Sequence, residues 1–185
     1  MAHDIDQIME RASQALAKTD YLACERLCLE ALRAAEQARD YDRIARILMP
    51  LQEARRQRRQ NAADAGVVLL GEPRQTPEQI LDEHAGGCLM LLDPPYAPDD
   101  VDAVRRLALE QECHVEVLRF DHDALLAAFL WRLELQGDAY LASIHPDAPP
   151  REQVRRLIDV LDKVGDHEIA HQRLAQAARE AARSS

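Results

Sequence analysis

Aromatic side chains are scarce in this chain: one Trp, four Tyr and two Phe make up 4% of its 185 residues. The core must therefore be assembled from Leu, Ala, Val and Ile. Lysine is scarcer still, since 21 of the 23 basic residues are Arg, a skew that reads as codon bias before it reads as function. No apolar run is longer than the one from Ala124 to Trp131, far short of the roughly 20 residues that a membrane-crossing helix needs. The opening Met1-Ala-His-Asp-Ile-Asp has no basic stretch followed by an apolar one, so no secretory signal is expected. Only four cysteines occur, Cys24, Cys28, Cys88 and Cys113, too few for a disulfide framework and consistent with reduced thiols in a cytoplasm. Cys24 and Cys28 stand one helical turn apart beside Leu27 and Ala31, where small buried apolar residues belong. The six glycines never fall into a Gly-x-Gly pattern after an apolar run, which removes the usual nucleotide-cradling turn.

What is present describes a folded, acidic protein: 47% apolar, 30% charged and a net charge of −10. The charge is uneven. Residues 1–65 carry 11 basic and 11 acidic side chains, whereas residues 66–185 carry 12 and 22 and hold the whole excess. Such a surface repels phosphate backbones and anionic lipid, so neither nucleic acid nor membrane is an expected partner.

The first 60 residues show helical spacing. Ile5, Ile8, Met9, Ala12 and Leu16 form one stripe, closed by Lys18-Thr19-Asp20. A second helix over about 21–39 turns Ala23, Leu27, Ala31, Leu32 and Ala35 inward. A third begins near Asp42 with Ile44, Ala45, Leu48 and Leu51, and Pro50 is placed to kink it. Ile8, Ala12, Asp20-Tyr21, Cys24 and Ala31-Leu32 stand at the positions of a tetratricopeptide hairpin, and the first two helices resemble that repeat. Val154, Gly165-Asp166, His167, Ala170 and Ala177-Ala178 repeat the same register near the other end. Ile158 and His167 depart from the pattern there. The resemblance implies helical hairpins at both ends, with grooves suited to a protein partner.

Between them the period changes. Val67–Leu70, Cys88–Leu92 and Val115–Leu118 are short apolar runs, separated by helical patterns and predicting a small parallel sheet. Thr76-Pro77-Glu78-Gln79 is a capping-box start, with Gly86-Gly87 expected to end that helix. Asp99 and Asp100 favour the start of a helix carrying Val101, Val104, Leu107 and Ala108. Asp121 or Asp123 can cap a helix with Leu125, Phe129, Leu130 and Leu133. Residues 139–144 read as strand or helical turn alike, and His145–Pro150 reads as a linker. The expected fold is thus mixed α/β and mostly helical: a tetratricopeptide-like region over 1–65, a parallel α/β segment of three or four strands over 66–149, and a helical hairpin over 150–185.

Several motifs advertise chemistry. His167-Glu168-Ile169-Ala170-His171 matches HExxH, in which two His one turn apart hold zinc and the Glu activates its water. A third ligand is lacking downstream, because position 174 is Leu, position 177 is Ala and Glu180 lies along the same helix. His167, Glu168 and His171 are therefore read as the start of a helix, with Asp166 as cap and His167 half solvated, and as zinc ligands only in the alternative. Asp93-Pro94-Pro95-Tyr96 resembles the DPPY loop of amino-methylating methyltransferases, without the strands and glycines that hold S-adenosylmethionine. Asp93 also stands where a response-regulator receiver carries its phosphoacceptor, with Gly71-Glu72 supplying one acid where receivers have a pair. Arg55-Arg56-Gln57-Arg58-Arg59 lacks interleaved aromatics and reads as a solvated helix end that Asn61–Gly66 terminates, rather than as an RNA or acidic-partner contact. Asp121-His122-Asp123 begins a helix more simply than it binds a metal.

The expectation is a cytoplasmic, non-catalytic adaptor or scaffold, with no catalytic residue, cofactor or metal, that binds a protein partner or a second copy of itself. The alternatives are a degenerate receiver-like signalling module and, third, a zinc hydrolase or methyltransferase.

Overall fold

The structure, a computed structural model, describes residues 2–121, 140–165 and 167–184. The chain forms two compact units. One combines Met1–Arg55 with Phe129–Ser185, and the other is Arg56–Ala128. The helix expected to carry Leu125, Phe129, Leu130 and Leu133 lies outside the described residues, as do His122, Asp123 and the expected cap Asp166.

The helical unit begins with α1 (Ala2–Ala17), α2 (Tyr21–Ala38) and the first half of α3 (Tyr41–Ala65). Each short turn carries its own chemistry. The Asp20 side chain accepts the Ala23 N–H at 3.1 Å and caps α2. Arg39, in the left-handed region at φ 53°, closes the helix. Asp40 then accepts the Arg43 N–H at 3.1 Å and starts α3. Turns this short force neighbouring helices to run antiparallel. α3 continues through Pro50 without a break and ends at Ala65, within the expected stretch Asn61–Gly66.

Residues 140–142 are helical, which settles the choice between strand and helix there. They are followed by α6 (Pro150–Val164) and α7 (Glu168–Arg183). One core joins all these helices. Ile8, Leu27, Leu32, Ile44, Ile47, Leu51, Leu157, Leu161 and Leu174 fill it, and each such side chain contributes about 1.5–3 kcal/mol on burial. The small residues Ala12, Cys24, Ala31, Ala170 and Ala177 are all buried within it.

The α/β unit contains β1 (Val67–Leu70), α4 (Pro77–Glu83), β2 (Gly86–Asp93), α5 (Pro98–Glu110) and β3 (His114–Asp121). The strands pair in parallel in the order β1-β2-β3, with Val68 beside Leu89 and Leu89 beside Val117. The mixed α/β, mostly helical class and the parallel sheet are therefore present as expected. Two right-handed crossovers stepping in one direction place α4 and α5 on the same face. There Ile80, Leu81, Val101, Val104 and Ala108 pack with Leu70, Leu89, Leu91, Val115 and Val117.

The expected helix starts are present. Thr76 and Gln79 bond reciprocally at 3.3 and 2.9 Å, and Asp100 accepts the Ala97 N–H at 2.7 Å. One boundary differs from expectation. Gly86 and Gly87 open β2 instead of ending α4, which stops at Glu83. Gly87 has φ +96°, and a Cβ there would stand 3.0 Å from the Gly66 carbonyl oxygen. Glycine is thus required by the close pairing of β1 and β2 rather than by a helix end. Asp121 is the last residue of β3, and the helix that it or Asp123 is expected to cap lies outside the described residues.

Candidate functional site

The basic run is divided by the fold, and Arg55 contradicts the solvated-end reading. Its guanidinium is buried with Glu25, which it meets at 2.8 Å through Nε. Nη1 also donates to the carbonyls of Leu161 at 3.3 Å and Gly165 at 3.2 Å. These carbonyls lie at the C-terminal end of α6, where the helix dipole favours a cation. Arg55 is ten residues before the end of α3, so that helix's own dipole is not what places it. Glu25 carried a signal: it lies on the stripe of Cys28 and Leu32, where a charge demands a buried counter-charge. Its partner, 30 residues on, had none. Arg56 is exposed, while Arg58 and Arg59 are partly buried in the α/β unit.

Cys24 and Cys28 sit beside this pair, both fully buried. The hydrogen bond between the two thiols, and then burial, push Cys28 up, and the same bond lowers Cys24. Cys24 Sγ also reaches the Pro50 carbonyl at 3.8 Å. Cys88 in β2 is pushed up to about 11, first by burial and then by the charge of Glu116. Neither Cys28 nor Cys88 is poised as a nucleophile at neutral pH, because burial disfavours the thiolate of each.

His167, Glu168 and His171 point different ways. His167 is the N-cap of α7, and its Nδ1 accepts the Ala170 N–H at 3.2 Å. The ring is 4% exposed, so it is buried rather than half solvated; holding a backbone N–H of the first turn draws it inward. His171 is buried too, its Nδ1 donating to the His167 carbonyl at 3.0 Å. Glu168 faces solvent and accepts from Gln172 at 3.0 Å. A hydrolytic HExxH needs both His and the Glu around one water. Among the described residues, no three His, Cys, Asp or Glu side chains gather as metal ligands.

Asp93 lies at the carboxyl end of the central strand, where parallel sheets place ligands, and is paired with Arg119 of β3 through Nε at 3.1 Å and through Nη2. Glu72 is exposed. Tyr96 is 1% exposed, packed in the core with Leu89 and Leu91, and its hydroxyl accepts the Gln75 N–H at 3.0 Å. That ring is unavailable for stacking on a substrate amine. Asp100 pairs with Arg74, and the Ala97 N–H and then Arg74 hold its carboxyl below the ordinary range.

The helical unit also has a groove of about 410 Å³ between residues 140–146 and the helices α6 and α7, with Leu141, Ile144 and Ala177 in its floor. Its donors serve the fold. Arg173 bonds the Leu141 and Ile144 carbonyls at 3.1 and 3.4 Å, and Gln153 bonds those of Pro146 and Ala148 at 2.9 and 2.7 Å. Among the described residues no helix is long and apolar enough to cross a membrane. Comparison with protein-family models, with curated proteins and with solved structures finds no match.

Proposed function

We propose that this protein is a non-catalytic interaction adaptor whose tetratricopeptide-like helical unit binds a protein partner. One observation carries the reading: the side chains a catalyst would need are committed to holding the fold. Arg55 and Glu25 brace α2, α3 and the end of α6. His167 and His171 close the first turn of α7, and Tyr96 anchors the segment before α4. The helical unit meanwhile exposes large apolar side chains, Met49 at 78% and Ile169 at 49%, the kind of residue that anchors interfaces.

The test is affinity purification of the full chain beside a Met49→Glu, Ile169→Glu variant with an unchanged melting midpoint. The expected result is a stoichiometric protein partner whose recovery falls about tenfold in the variant, the loss expected for about 1.4 kcal/mol. Recovery of no protein with the native chain, or stoichiometric zinc that resists dialysis, defeats the reading.

A second reading, a receiver-like signalling module, draws on Asp93 at the end of the central parallel strand. Its Arg119 partner would have to be displaced before a phosphoryl group entered. Labelling by acetyl phosphate, abolished in Asp93→Asn, would favour it.

A further inference from the structure

The two edges of the sheet are finished differently. β2 bonds β1 through Cys88, whose N–H donates to the Gly66 carbonyl at 2.9 Å. The parallel register then turns the peptide groups of Gly66, Val68 and Leu70 toward β2 and those of Val67 and Leu69 outward. The same rule turns Val115, Val117 and Arg119 outward on β3. There the edge is closed: Arg105 of α5 donates to the Val117 carbonyl at 3.0 Å through Nε and 2.7 Å through Nη2. Glu116 and Arg119 add charge to that strand.

β1 differs in its residues. It is Val-Val-Leu-Leu, with no charge and no proline, and Val67 and Leu69 are 52% and 51% exposed. Among the described residues no strand pairs with its outer side. Folded proteins ordinarily blunt such an edge, because it offers both unpaired peptide groups and apolar side chains to another chain.

We propose that the outer edge of β1 is a docking site for an extended segment of a partner protein, apolar at alternate positions and flanked by Lys or Arg. Main-chain bonds to Val67 and Leu69 supply the affinity, and their side chains meet the partner's apolar ones. Charge selects the flanks. Exposed Asp64 and Glu72 stand on either side of β1 in the chain, and the unit Arg56–Ala128 has 14 acidic and 7 basic residues, a net −7. The same charge disfavours a second copy, because β1 against β1 would bring two −7 units together. This site is independent of the helical unit's partner.

The probe is a fluorescent peptide of alternating Val and Thr with Lys at both ends, titrated against the full chain at low salt. Three further peptides accompany it: a Glu-ended counterpart, an N-methylated version and a helical peptide of equal positive charge. Saturable binding of the Lys-ended peptide alone is expected. Leu69→Pro, which removes an outward N–H and leaves the β2 ladder intact, should weaken it about tenfold. Leu69→Lys, a change at an exposed side chain, should weaken it as well if the proline variant fails to fold. The proposal is overturned if the Lys-ended peptide does not bind, or if the N-methylated or helical peptide binds equally. It is also overturned if binding survives both Leu69 variants, or if the native chain dimerises and Leu69→Pro abolishes the dimer.

Discussion

The helical unit and the α/β unit accommodate polar groups in opposite ways. The helical unit takes a charge pair into its interior and surrounds it with backbone carbonyls, so that Arg55 satisfies Glu25 and two carbonyls from the end of α6 at once. The α/β unit keeps ion pairs at its rim: Arg74–Asp100 and Arg119–Asp93 lie at the carboxyl ends of the strands with their side chains partly in water. Buried pairs are costly to break because the remaining charge is left desolvated, whereas rim pairs are screened. The two units should therefore respond very differently to the loss of one charge.

That contrast is most exposed at Arg55. Arg55→Met leaves Glu25 buried without this guanidinium and is expected to lower stability by about 3–5 kcal/mol in denaturant titration, while Arg55→Met with Glu25→Leu regains most of the loss. A small loss for the single variant would mean that water reaches the pair and that the two units do not differ. The close approach of the helices makes the second case. Ala31 is fully buried, and Ala31→Phe should overpack the α2 contact and cost about 1–3 kcal/mol. An unmoved melting midpoint would count against tightly packed hairpins.

In the α/β unit the backbone, not a charge, is the sensitive element. Gly87→Ala meets a backbone oxygen at 3.0 Å with φ +96° and should cost about 1–3 kcal/mol, whereas Gly66→Ala, with nothing within 4 Å of its Cβ, should cost less. Equal losses would show that positive φ alone matters at these sites. The smallest effect belongs to the rim. Asp100→Asn should cost about 0.5–1 kcal/mol at neutral pH, through the Ala97 cap and the half-exposed Arg74 pair. Because the carboxyl is held below its ordinary 3.8, the contribution is complete above that value and disappears as pH falls through the lower folded value. A difference between native and variant protein that persists under strong acid would show that charge is not its source.

Local patterning by itself determined the elements of this protein. Helical spacing located the helices at either end, and short apolar runs located three strands. Thr76-Pro77-Glu78-Gln79 and Asp100 marked two helix starts, because caps, periods and turns are properties of residues within one or two turns of each other. HExxH and DPPY were legible as letters, but whether His167, Glu168 and His171 share a side of the helix surface, and whether Tyr96 faces substrate or core, depends on what packs against them. Tertiary structure alone decided that Glu168 turns to water while both His turn inward, and that Gly87 serves strand pairing. It also paired Arg55 with Glu25 across 30 residues and with the end of α6 across more than a hundred. Burial and long-range pairing arise between segments distant in the chain, and no local pattern records which distant carbonyl a buried guanidinium will meet.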